Sequence, residues 1–303
     1  MTPSIVCGID ASPQAGAALR VASALAQRMG LTLVVVHAVP TPTPDLLLTA
    51  PAHVPVHVEQ IDFLGHDTGE RLLTQAVEAV DVPLAEQRLE RGRAAERLCA
   101  VAREEQARLV VVGSRGDGAM RTALLGSVSA AVVRDAPCPV VVVPPGMAGG
   151  PLDGQRIVCG VNADEDQAAV STAARLSRVL GAPLTLSHVL PAGAETESLV
   201  SAGALSPTVD PRLDAGPRHA LDTVHRLMAN AGDLVDDELH DVQLRRGEPA
   251  AQILELAAST HAILLVVGNR GFGSLRAGLL GSVSRDLVRR GSRPIVICRE
   301  EPT

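Results

Sequence analysis

Short runs of Val, Ile and Leu alternate along this chain with stretches whose apolar residues recur every three or four positions, and the alternation is run through twice. In the first half, residues 4–10 are an apolar run that ends at an acid. Residues 13–29 carry Ala, Leu and Val at helical spacing and stop at Gly30. Residues 31–39 are nearly continuous Leu and Val, as a strand buried on both faces should be. Helix is predicted over 62–80, 94–106 and 127–135, and strand over 84–90, 109–113 and 139–143. A Pro-rich stretch (Pro40, Pro42, Pro44, Pro51, Pro55) reads as loop. The second half predicts strands over 157–162, 184–190, 238–245, 263–268 and 294–298, with helices over 166–180, 218–231, 250–260 and 282–290. A Gly/Pro/Ser loop covers 191–211. Five strands alternating with four helices predict an α/β fold, a doubly wound parallel five-stranded sheet of Rossmann-like order 3-2-1-4-5 in each half. The domains are read as 1–145 and 156–303, with a Gly/Pro linker over 146–155.

The duplication is sharpest in one loop. Gly113-Ser-Arg-Gly116, nine residues and Gly126-Ser127-Val128-Ser129 recur 155 positions later as Gly268-Asn-Arg-Gly271, nine residues and Gly281-Ser282-Val283-Ser284. Gly92 and Gly247, just after the third strand of each half, share the same offset. Two copies with unslipped spacing mark a duplicated domain whose loop has a job.

Composition narrows the chemistry. All 27 basic residues are Arg, and only Phe63 and Phe272 are aromatic. Absence of Lys excludes Schiff-base catalysis and the lysine of a Walker phosphate loop. The formal net charge of −7, with no basic tract and almost nothing to stack on bases, argues against nucleic acid as a partner. No segment is apolar enough for a membrane span and no leader is evident, so a soluble, cytoplasmic protein is expected. The five cysteines (Cys7, Cys99, Cys138, Cys159, Cys298) include no CxxC pair and read mostly as small apolar residues of buried strands.

In a 3-2-1-4-5 sheet, ligands bind where strand order reverses, between the carboxyl ends of the first and fourth strands. The repeated loop begins there. Glycines at 113 and 116 would permit unusual dihedrals and close approach of a ligand. Gly126-Ser127 opens a helix whose free amides and dipole suit an anion, with the Ser127 and Ser129 hydroxyls as further donors. Residues 113–129 hold Arg115 and Arg121 against Asp117, and residues 268–284 hold Arg270 and Arg276 with no acid. An acidic protein has kept this loop positive, which favours phosphate. Asp10, at the first strand end, suits ribose hydroxyls or a cap on the helix that follows.

Ile5-Val-Cys-Gly-Ile-Asp10-Ala-Ser, Val36-His37-Ala38 and the G-2x-G-9x-G-S loop together resemble the universal stress proteins, in particular their tandem-domain, ATP-binding branch. The resemblance spans about residues 3–145 and 155–299. It implies a nucleotide site in each half: Gly8, Asp10, Ala38, Gly113, Gly116, Gly126, Ser127 and Ser129 in the first, and Gly160, Asn162, Val189, Gly268, Gly271, Gly281, Ser282 and Ser284 in the second. The implied ligand is ATP, with Mg²⁺ as an optional companion. The acid and the first loop glycine would hold ribose, the backbone at Ala38 the adenine, and the last Gly-Ser the phosphates. Asn162 stands where the family has an acid, so the second site is expected to bind more weakly or with altered selectivity. The resemblance also implies an internal pseudo-dimer, through the fifth strands over 139–143 and 294–298, and further homodimerisation.

Other signals carry less. His37 and His188 occupy equivalent strand ends and read as structural. His53 and His57 flank Pro55, which argues against a helical metal pair. Asp164, Glu165 and Asp166 sit at a helix start, where acids favour the dipole. The loop offers amides and hydroxyls but no evident general base, so the expected function is that of an ATP-binding regulatory or stress-response protein with little or no turnover. The alternative is an adenylating or slowly ATP-hydrolysing enzyme, for which the sequence supplies no extra substrate domain.

Overall fold

A computed structural model describes residues 3–41, 58–80, 85–115, 125–147, 150–162, 166–190, 222, 224–227, 229, 240–269 and 280–299. The chain divides into two compact units, Met1–Cys138 and Pro139–Thr303.

The first unit runs β1 (Ser4–Gly8), α1 (Pro13–Met29), β2 (Thr32–Val39), α2 (Val58–Glu78), β3 (Ala85–Arg91), α3 (Ala94–Glu104), β4 (Leu109–Gly113) and α4 (Ser127–Asp135). Its strands lie in the order β3-β2-β1-β4, all parallel, with Gly8 opposite Val36 and Cys7 opposite Val111. The central strands are buried on both faces: Ile5, Val6, Leu33, Val34, Val35, Val110 and Val111 have no exposed surface. Such strands read as unbroken apolar runs. β3 (Ala-Glu-Gln-Arg-Leu-Glu-Arg) is a charged edge strand, a composition that discourages pairing with another chain.

α1 is punctuated at both ends. Ser12 caps it, Pro13 takes the first turn where no N–H is needed, and Gly30 closes it at φ 62°. The helix Gln167–Leu180 ends the same way, on Gly181 at φ 61°.

The second unit runs β5 (Val140–Val143), β6 (Arg156–Val161), α5 (Gln167–Leu180), β7 (Leu184–Leu190), β8 (His240–Arg246), α6 (Pro249–Ser259), β9 (Ala262–Gly268), α7 (Ser282–Arg290) and β10 (Ile295–Cys298). Residues 224–227 are helical. The order β8-β7-β6-β9-β10 is the predicted 3-2-1-4-5, all parallel, and β5 adds to it antiparallel, with Val141 opposite Val296. The strand closing the first repeat thus groups with the second unit. The Gly/Pro linker is partly tied down there. Leu152 is buried, the Gln155 N–H donates to the His261 carbonyl at 2.8 Å, and Gly154 lies so close to residues 261–263 that a Cβ would meet the His261 oxygen at 2.5 Å.

Several boundaries moved. β1 stops at Gly8 rather than at Asp10, although the Ile9 N–H still reaches the Val36 carbonyl at 2.9 Å. α2 begins at Val58, four residues before the apolar periodicity suggested. Most of the predicted helix over 218–231, the loop over 191–211, and His53 and His57 lie outside the described residues.

Candidate functional site

The site in the first unit is assembled from three chain turns. β1 delivers Asp10 just beyond its carboxyl end, where Asp10 Oδ1 accepts hydrogen bonds from the Ser12 N–H (3.0 Å) and the Ser12 hydroxyl (2.5 Å). Ser12 Oγ in turn accepts from the Ala15 N–H at 3.2 Å. The helix cap is therefore Ser12, and Asp10 orients the cap rather than serving as it. Ser12-Pro13 is a capping signature that could have been read from the chain.

β4 delivers Gly113 against the start of α1. A Cβ there would lie 3.1 Å from Gln14 Cβ and 3.2 Å from the Gln14 carbonyl carbon and oxygen. The described glycines with positive φ are Gly30, Gly92, Gly181 and Gly247, so Gly113 is explained by this close approach and not by unusual dihedrals. Gly8 has a similar reason, because its Cβ would meet Leu98 Cδ1 at 2.8 Å.

The far end of the repeated loop is bonded back onto the strand end. The Gly126 N–H donates to the Ser114 carbonyl at 2.8 Å, and the Ser129 hydroxyl donates to the Gly113 carbonyl at 2.6 Å. Ser129 is buried in that bond. α4 opens on Gly126, which has no side chain to cap it, and its first internal bond runs from Ala130 to Gly126. The amides of Ser127, Val128 and Ser129 thus have no intrahelical partner and lie at the positive end of the helix dipole.

These turns enclose a cavity of about 420 Å³. Gly8, Asp10, Ala38, Gly113, Gly126, Ser127 and Ser129 all line it, joined by residues the sequence had not singled out, among them Ala15, Leu98 and Val112. Arg115 lines it too, with an Nε–H that is buried and has no acceptor among the described residues. His37 borders the cavity as well. Its Nδ1–H donates to the Ile9 carbonyl at 3.0 Å, and Gly69 of α2 packs against its ring. Gly116 lies outside the described residues.

The second unit repeats much of this wiring. The Gly281 N–H donates to the Asn269 carbonyl at 3.0 Å, the Ser284 hydroxyl to the Gly268 carbonyl at 2.8 Å, and the His188 Nδ1–H to the Val161 carbonyl at 3.0 Å. Gly92 and Gly247 both have φ 123°, and each donates its N–H to the end of the second strand of its repeat, Val39 or Leu190, at 3.0 Å. Gly160 faces Ile253 as Gly8 faces Leu98. Ser282 starts α7 and Val189 pairs with Arg245. Gly271 lies outside the described residues.

The ends of the two first strands differ. Asn162 stands in place of Asp10, and the carboxylate has moved four residues on, to the buried cap position Asp166, whose Oδ2 accepts the Asn162 N–H at 2.6 Å. In the first unit the acid reaches forward to the helix cap; in the second the acid at the cap reaches back to the strand end.

Four cysteines are buried, Cys138 is half-buried, and all five are free thiols. Burial pushes the Cys7 thiol up to about 12 and that of Cys159 well above its ordinary value. Neither is a thiolate at neutral pH, as expected of packing residues. No helix among the described residues is long and apolar enough to cross a membrane.

A family model for the universal stress protein family matches residues 1–144 and again 154–299. Over 319 aligned positions the chain is 29% identical to universal stress protein Rv1996 of Mycobacterium tuberculosis, covering 97% of this chain and 94% of that protein. A universal stress protein of Thermus aquaticus is 38% identical over 143 residues, 47% of this chain and 99% of its own length. The crystal structure of a universal stress protein from Archaeoglobus fulgidus superposes with a TM-score of 0.65 at 19% identity, covering 98% of both chains, and shares the fold.

Proposed function

The chain belongs to the universal stress protein family, and from that premise we propose that it binds adenine nucleotide, ATP first, as a cytoplasmic regulatory or stress-response protein that senses or sequesters the nucleotide with little or no turnover. The observation that carries this reading is the first unit's cavity. Its volume suits a small ligand, and one wall offers the first amides of α4, which have no intrahelical partner, while Asp10 lines the same space. In this reading phosphates meet Gly126, Ser127 and the helix amides, ribose meets Asp10 and Gly113, and adenine lies near Ala38. The Ser129 hydroxyl is engaged with Gly113, so this residue contributes its N–H to the phosphates and its side chain to the loop.

Binding without turnover follows from what the cavity offers a water molecule. Asp10 is held by Ser12 and His37 by the Ile9 carbonyl, so both are fixed as positioning groups, and neither is matched to an attacking water. The second site binds more weakly, because Asn162 is a neutral group and the nearby acid, Asp166, accepts a backbone N–H. The antiparallel pairing of β5 with β10, the fifth strands of the two repeats, supports the internal pseudo-dimer, and homodimerisation belongs to the same proposal.

The absence of Trp and Tyr makes the test simple, since the chain barely absorbs near 280 nm and bound nucleotide dominates its ultraviolet spectrum. Acid-released small molecules from the purified protein are expected to co-elute with adenine nucleotide standards, and added ATP is expected to raise the melting temperature. If no nucleotide is released and ATP leaves the melting temperature unchanged, the reading fails.

A further inference from the structure

We infer that Arg115 reads the charge of the ligand: its guanidinium meets the phosphates in the first unit's cavity and makes affinity rise with phosphate number. This rests on the nucleotide reading above and adds to it the residue that discriminates nucleotide from nucleoside.

Arg115 follows the end of β4 by two residues and lines the cavity together with the opening turn of α4. Its Nε–H is sealed from solvent without an acceptor, and Arg115 has no ion pair or hydrogen bond among the described residues. Several other partly buried arginines of the same molecule are partnered, although Arg246 also buries an Nη2 with no acceptor among the described residues. Arg97 grips Glu90 through two nitrogens, Arg88 meets Glu105, and Arg156 is shared between Thr185 and Asp241. Arg115 is the case in which a nitrogen unmatched among the described residues belongs to a side chain that lines the first unit's cavity.

The chemistry of the missing partner follows from the side chain. A guanidinium stays charged at any physiological pH and presents its donors as a planar fork that fits two oxygens of a phosphate. Asp10, the acid lining the same cavity, has Oδ1 occupied by both donors of Ser12 and does not pair with Arg115. Positive potential from Arg115 and from the α4 dipole therefore converges on one space. An anion placed there gives the buried Nε–H an acceptor, and each added phosphate gives the fork and the helix amides more charge to hold.

The test is calorimetric titration of the full chain with adenosine, AMP, ADP and ATP, for the wild type, Arg115→Gln and Arg115→Lys. The wild type is expected to tighten along the series. Arg115→Gln should lose about ten- to a hundredfold in affinity for ATP, the range for a hydrogen bond to a charged group, and leave adenosine within about twofold. Arg115→Lys keeps the charge without the fork and should recover part of the loss. Equal weakening of adenosine and ATP in Arg115→Gln would place the side chain on the base or in the scaffold and overturn the inference, as would unchanged ATP affinity. A wild type that binds none of the four overturns the nucleotide reading itself, an outcome distinct from either.

Discussion

At the scale of single residues, the site depends on side chains that are absent as much as on those present. Gly113 admits the backbone of Gln14, and Gly8 admits Leu98; neither fact was legible in the sequence, because a close approach is a tertiary event that leaves no local signature. The repeated loop was legible because its spacing recurs, yet the role of its last serine was not. Ser129 reads as a phosphate donor, whereas its hydroxyl holds the end of β4. Ser129→Ala is therefore expected to cost about 1 kcal/mol of stability, the net worth of such a bond, measured by urea denaturation. Unchanged stability would mean that the hydroxyl is free for a ligand. The exchange of Asp10 for Asn162 was visible at once, but the compensating move of the carboxylate to Asp166 was not. Three acids at a helix start all read alike until one is seen to accept the Asn162 N–H.

At the scale of elements, the chain announces its centre better than its edges. β1, β2, β4, β6 and β9 are apolar because both faces are covered, and the pattern locates them to within two residues. β3 and β8 are the edges, where charge is an asset and apolar periodicity fades. Helix α6 shows an unusual start. Glu248 caps it, accepting from the Ala250 and Ala251 amides at 3.0 and 2.7 Å, while Arg290 of α7 approaches the same carboxylate at 3.2 Å. Burial alone would raise the carboxyl pKa, but these partners outweigh it and hold the group below its usual range. Glu248→Ala is expected to cost about 1 kcal/mol at pH 7. Because the folded-state pKa lies below the unfolded one, the contribution is present above the unfolded value and lost as pH falls through the folded value. The difference between variant and wild type in denaturation should shrink towards acid. A difference independent of pH would show that the carboxylate is not what stabilises the helix.

At the scale of the whole molecule, the duplication built two copies of one scaffold and then let them diverge where a ligand would sit. The family and the sheet order were legible from hydrophobic alternation, the Gly-Ser loops and the length of the repeat. The pairing of β5 with β10 was legible only through the family resemblance, since a run of four valines by itself carries no record of its partner. Calorimetric titration with ATP decides whether the first unit holds the tighter nucleotide site, on the wild type and on Ala38→Trp, whose indole would fill the cavity that Ala38 lines. Two unequal phases are expected in the wild type, with the tighter one missing in the variant and the weaker one kept. No heat of binding in the wild type, or a tight phase that survives in Ala38→Trp, would rule out a tighter first site.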